Sequence, residues 1–133
     1  MDEQLRGAVR QRAQVRCEYC HLLEIHSSLP FEVEHIIAEK HGGPTAFDNL
    51  AWSCRYCNAY KGSNIVGIDP ETGEISPLFH PRRDRWGEHF RWRGPILLGL
   101  SPQGRATIAV LRINHPELVA VRQSLLGEGV SFG

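Results

Sequence analysis

Between Asp2 and Arg16 the apolar positions Leu5, Val9 and Val15, with Arg12, recur near helical spacing among helix-favouring residues, which predicts an N-terminal helix. Phe31–Ala38, FEVEHIIA, changes period: apolar and polar residues alternate, β-branched side chains are frequent, and a strand is expected. HGGPT follows with the composition of a turn. FDNLAWSC then reads as a short turn or helical piece running into a second strand that ends at Cys54. CNAYKGS reads as a short helix stopped by Gly62. The order is strand, loop, strand, helix.

Beyond Asn64, apolar runs flank DPETGE in IVGIDPETGEISPLF, the signature of a hairpin. HPRRDRWGEHFRWRG has no clean period and interleaves arginine with Trp86, Phe90 and Trp92. Trp86 and Phe90, one helical turn apart, are expected in the core, although basic–aromatic interleaving also suits nucleic acids. GPILLGLS reads as a strand. Ser101-Pro102 opens a helix to about Ile113, and Pro116 opens another, with Leu118, Val119, Val121, Arg122 and Leu125 along it, ending at Gly127. Both helices are expected to pack over the strands.

A length of 133 residues suits about one domain, and neither a repeat nor a low-complexity linker divides it. Hydrophobic residues at 41% and charged residues at 23% exclude wholesale disorder. No apolar run approaches the ~20 residues of a membrane span, and MDEQLRGAVR has no apolar leader, so a cytoplasmic protein without a membrane partner is expected. The net charge is zero, but its placement is uneven. From Glu18 to Glu39 there are five Glu and no Lys or Arg; from His80 to Arg93 there are five Arg. That split fits a basic phosphate-facing surface beside an acidic metal-holding one, and equally fits ordinary solvated faces. On this pattern Arg82, Arg83 and Arg85 are candidate phosphate contacts.

The four cysteines, Cys17, Cys20, Cys54 and Cys57, form two C-x-x-C pairs with none left over. A disulfide framework is improbable in a reducing compartment, and a redox C-x-x-C needs no duplicate. Two such knuckles supply the thiolates of a closed, structural zinc site. They stand 33 residues apart, so a sizeable insert, His21 to Ser53, is tied at both ends by one ion.

The insert and its flank hold the groups capable of chemistry: Glu34, His35, Asn49, Asn58 and Lys61. Asn58 and Lys61, three apart on a helix, share a face. The Glu34 carboxylate and Asn58 amide oxygen could hold a hard divalent cation. His35 carries an imidazole that could deprotonate a water, with Asn49 orienting its ring. Strand alternation sets adjacent Glu34 and His35 on opposite faces, so both reach one phosphate only if the strand ends or kinks there. His41, in KHGG, reads as a loop residue, and His21 is not needed beside four thiols.

The constellation CEYC…VEHIIAEKHGG…FDNLAWSCRYCNAYK resembles the HNH endonuclease family in its four-cysteine form. The resemblance covers about Cys17 to Asn64 and sets the family's letters on His35, Asn49 and Asn58. Glu34 stands where the family commonly has Asp, one methylene shorter, and Lys61 matches the lysine of its CN-x-x-K ending. DPETGEISPLFHPR…WGEHF resembles an extension of small bacterial HNH proteins. The resemblance implies an α+β protein: a zinc-braced ββα-metal core at 17–64, an N-terminal helix, and an extension at 65–133 of hairpin, strand and two helices packed on that core, the whole being a single domain.

It further implies an endonuclease hydrolysing DNA phosphodiester bonds and leaving 3′-OH and 5′-phosphate ends. His35 would activate water; Glu34 and Asn58 would hold Mg²⁺ or Mn²⁺; a separate zinc on Cys17, Cys20, Cys54 and Cys57 would be structural. Lys61 and nearby arginines, Arg55 among them, would hold backbone phosphates. Nothing in the sequence separates DNA from RNA, so an RNase using the same site is an alternative, and a non-catalytic zinc-braced DNA-binding module is another. A monomer would nick, and a homodimer could cut both strands.

Overall fold

The computed structural model describes residues 1–132. The chain forms two compact units, Met1–Ile65 with His80–Arg83, and Val66–Phe79 with Asp84–Gly133.

The first unit opens with helix α1 (Glu3–Arg12). Asp2 caps it, accepting from the Gln4 N–H at 2.8 Å, while Glu3 in the first turn and Arg10 and Arg12 in the last complement the helix dipole. The helix ends short of Arg16 because Gln14 and Val15 both turn to a positive φ of 56°. Strands β1 (Glu32–His35) and β2 (Leu50–Ser53) pair antiparallel, Glu32 opposite Ser53 and His35 opposite Leu50. Helix α2 (Arg55–Lys61) follows directly and packs against β1, so the strand, loop, strand, helix order holds.

β2 is buried along its length, and Trp52 anchors it. Its ring lies 6.4 Å from Phe31 and 4.9 Å from the Arg6 guanidinium, and its Nε1–H donates to Glu24 at 2.8 Å. β1 is shorter than Phe31–Ala38 because the Ile37 N–H donates to the Asn49 side chain, not to β2. The loop between the strands needs both glycines of HGG. Gly42 has φ +90°, and a Cβ on Gly43 would lie 1.8 Å from the Ile37 carbonyl oxygen.

In the second unit β3 (Val66–Ile68) and β4 (Ile75–Pro77) form the expected hairpin around DPETGE. Buried Asp69 organises its turn, accepting from the Glu71 N–H at 2.9 Å, the Thr72 hydroxyl at 3.1 Å and the Arg105 guanidinium at 2.9 Å to each oxygen. Short helix α3 (Trp86–His89) leads into β5 (Phe90–Arg93), paired antiparallel with β6 (Ile96–Gly99). The basic–aromatic stretch is therefore largely a helix and a strand. Phe90 is buried, Trp86 is half-buried 5.1 Å from it, and Trp92 packs against Phe132 at 5.3 Å. Helices α4 (Pro102–Leu111) and α5 (Pro116–Gly127) complete the unit, α4 lying on β3, β4 and β6. Ser101 caps α4, accepting from Gly104 N–H at 2.9 Å.

Candidate active site

The two C-x-x-C knuckles converge. The four Sγ atoms lie within 4.8 Å of one another and all four residues are buried. Tetrahedral zinc at about 2.3 Å from each sulfur sets the sulfurs about 3.8 Å apart, and the Cys20 and Cys54 sulfurs are 3.7 Å apart. Local geometry prepares both pairs. His21 takes φ +64° just after Cys20, and its N–H bonds to the Cys17 carbonyl at 2.9 Å. Cys54 is the N-cap of α2, its sulfur accepting from the Cys57 N–H at 3.4 Å. Hydrogen bonding to Cys17, then to its other neighbours, pushes the Cys57 thiol well above its ordinary value. A divalent cation is what would let such a cluster carry four thiolates, and the donor set fits zinc.

From the clamped strand ends the polar residues of β1 take two directions. Glu34 points inward. It is 4% exposed, accepting from the Tyr19 hydroxyl at 2.5 Å on one oxygen and from Lys61 Nζ at 2.5 Å on the other. Burial pushes its carboxyl above the ordinary value, against the downward pull of Lys61 and Tyr19. Lys61 is 1% exposed, and its ammonium also donates to the Ile36 carbonyl at 2.9 Å. It is therefore a buried ion-pair partner of Glu34 and not a surface contact for backbone phosphates.

His35 ends β1 half-exposed, with Nε2 2.8 Å from the Thr45 hydroxyl and 3.4 Å from a Glu39 carboxylate oxygen. A carboxylate at neutral pH only accepts, so these partners favour the tautomer with its proton on Nε2 and its lone pair on Nδ1. Asn49 does not orient this ring. Its amide closes the interstrand loop, donating to the Ile37 and Pro44 carbonyls at 3.0 and 2.8 Å and accepting from the Ile37 N–H at 3.0 Å. Asn58, on α2, donates its amide N–H to Glu32 at 2.5 Å, which turns its carbonyl oxygen Oδ1 away from Glu32.

These residues meet in one place. An open cavity of about 400 Å³ is lined by Glu34, His35, Glu39 and Asn58, with Val33, Ala38 and the Gly62-Ser63 turn. Because β1 ends at His35, adjacent Glu34 and His35 both border it despite strand alternation. Each Glu34 oxygen keeps a second lone pair beside its one hydrogen bond, so the Glu34 and Asn58 oxygens suit a hard divalent cation.

The candidate arginines scatter. Arg82 forms an ion pair with Glu18 and lies with Arg83 beside a second cavity. Arg55 is exposed, 4.0 Å from Glu32, and Arg85 is exposed at the N-cap of α3. Sequence reasoning missed Tyr19, Glu32, Glu39 and Thr45. The spacing of Glu39, one helical turn beyond His35, was its only available signal; the others depend on pairing across the fold.

No helix among the described residues is long and apolar enough to cross a membrane. Residues 17–64 match the HNH endonuclease family, in agreement with the motif resemblance of the cysteine knuckles and their insert. The chain is similar to the Septu protein PtuB of Bacillus thuringiensis, 26% identical over 123 residues, covering 90% of this chain and 45% of that protein. It thus spans less than half the length of that curated relative. No solved structure matches the chain.

Proposed function

We propose that the cavity bordered by Glu34, His35 and Asn58 is the active site of a metal-dependent endonuclease that hydrolyses phosphodiester bonds, with DNA as substrate. The observation that carries this reading is the convergence of a histidine, a carboxylate and an amide on one open cavity, in a segment that matches a nuclease family. His35 Nδ1 takes the proton of the attacking water, while Glu39 and Thr45 hold Nε2–H and so fix the ring. Glu39 also offsets the positive charge the ring acquires. Glu34 and Asn58 would hold Mg²⁺ or Mn²⁺, and that ion would supply Lewis acidity at the phosphate and at the departing 3′ oxygen. Tyr19 and Lys61 fix the Glu34 carboxylate, and Glu32 fixes the flip of the Asn58 amide. Cys17, Cys20, Cys54 and Cys57 would hold a structural zinc that braces the two strands, apart from the hydrolytic chemistry.

Supercoiled plasmid, single-stranded DNA and RNA, each incubated in Mg²⁺, Mn²⁺ or EDTA, test this reading with His35→Ala alongside. Cleavage of DNA with divalent metal, lost in EDTA and lowered about a hundredfold or more by His35→Ala, is expected. Cleavage of RNA alone moves the same site to an RNase. Intact nucleic acid throughout, with zinc bound, overturns hydrolysis in favour of a zinc-braced binding module.

A further inference from the structure

The loop that lends Ala38 and Glu39 to the first cavity lends Ile37 and His41–Pro44 to a second one, of about 480 Å³. Its other lining comes from Asp48-Asn49 and from His80, Arg82 and Arg83, all within the first compact unit. Residues 80–83 are a short excursion: the chain on either side, to Phe79 and from Asp84, belongs to the second unit. Pro81 stiffens the excursion, and the Arg82 N–H donates to His80 Nδ1 at 3.1 Å. Its result is to bring two arginines to the first unit.

The chemistry of this cavity is that of an anion site. Arg82, Arg83, His41 and His80 line it, against one carboxylate, Asp48. One edge of the Arg82 guanidinium is held by Glu18, which is itself fixed by the Trp52 N–H at 2.8 Å. The other nitrogen, Nη1, is closed off from solvent, so the accessible donors of the cavity are those of exposed Arg83 and His41. Arg83 is exposed and enters no ion pair among the described residues. A planar donor group fixed on one edge, with a second arginine beside it, suits the oxygens of a phosphodiester. The volume accommodates a phosphate with its adjoining sugar.

We propose that this cavity holds a non-scissile phosphate of the nucleic-acid strand, contacted by Arg83 and His41 beside the Arg82 guanidinium, and so sets the register of the strand over His35. The identity of the ligand as a strand rests on the proposed nuclease function; the anion site rests on the arginines. Phosphate contacts of this kind position a strand without reading its bases.

The test uses the full chain carrying His35→Ala, zinc-loaded, and fluorescence anisotropy with labelled DNA oligonucleotides. A series carries one neutral methylphosphonate at each linkage in turn. One linkage other than the cleaved one is expected to lose about tenfold in affinity when neutralised. Adding Arg83→Ala should weaken the unmodified oligonucleotide by the larger part of that loss, reduce sensitivity at that linkage alone, and lower the salt slope by about one. Arg83 is the probe because Arg82 also pairs with Glu18; His41→Ala gives the second, smaller step. An unchanged affinity and linkage profile in the Arg83→Ala, His41→Ala double variant overturns the site. Inorganic phosphate that competes equally against both proteins also overturns it, by placing the anion elsewhere. Cleavage by the protein with His35 intact separates the two claims. Cutting with a flat linkage profile overturns the second phosphate site alone, and a sensitive linkage without cutting overturns hydrolysis alone.

Discussion

The first unit encloses Glu34, Lys61 and four thiols, each 6% exposed or less; the second encloses Phe90, Leu97, Leu111 and Ile113, each 2% exposed or less. The second unit also buries a carboxylate, Asp69, but surrounds it with two guanidinium bonds, a backbone N–H and a hydroxyl. Glu34 has two donors, and one of them is an ammonium as buried as itself. Apolar burial needs no partner to be favourable, whereas buried charge and clustered thiols are favourable only while every partner is present. The interior of the first unit is thus conditional on the partners of its thiols and of Glu34, and that of the second on the Asp69–Arg105 pair set beside its apolar residues. The first of these interiors is also where the candidate active site lies, because the groups that need partners are the groups that do chemistry.

The largest effect should come from removing a zinc ligand. Cys54→Ser is expected to lose the zinc and the fold of the first unit, read by metal content and by amide exchange at Leu50–Ser53. Retained protection at Leu97 would show that only the first unit depends on the metal; equal loss in both would show that the second depends on it too.

Lys61→Met should come next. It strands the buried Glu34 charge, and a loss of about 3–5 kcal/mol is expected from chemical denaturation. Pairing it with Glu34→Gln should recover part of that loss, since the uncompensated charge is gone. No recovery would mean that Lys61 acts through its backbone bond to Ile36.

Tyr19→Phe removes one hydrogen bond and leaves the ring. About 1 kcal/mol of stability should be lost, with zinc content unchanged and a higher Mn²⁺ concentration needed for half-maximal cleavage. Unchanged metal dependence would show that Tyr19 supports only the fold.

The remaining effect belongs to the second unit. The Arg105 hydrogen bonds hold the Asp69 carboxyl down at about 2. A depressed folded-state value stabilises above the unfolded value of about 4 and ceases to do so as pH falls through about 2. The advantage of the native protein over Asp69→Asn in urea midpoint should therefore be full at pH 5 and shrink toward pH 2. A constant difference would mean that the geometry of the turn matters and its charge does not.

The sequence made the ββα order legible because each element carries its own marker: alternation in FEVEH, glycines in the turn, and a thiol that doubles as a helix cap. It made the four cysteines legible because spacing alone defines a tetrahedral donor set. Partners across the fold were hidden. Lys61 reads as a surface cation until α2 is set against β1, where its ammonium meets Glu34. Asn49 reads as a ring orienter until Ile37 leaves the strand and claims its amide. FRWR lies in a basic–aromatic stretch that suits a core as well as nucleic acid and carries no strand marker. Yet its period of two sends Phe90 and Trp92 inward as β5, while Arg91 and Arg93 stay exposed.

Chemical rescue addresses the proposed role of His35 most directly. Cleavage rates would be measured for the native protein and for His35→Ala in Mn²⁺, with and without added imidazole. A loss of about a hundredfold or more is expected in the variant, with partial recovery by imidazole and no cleavage by either protein in EDTA. A His35→Ala protein that cuts at the native rate would contradict that role.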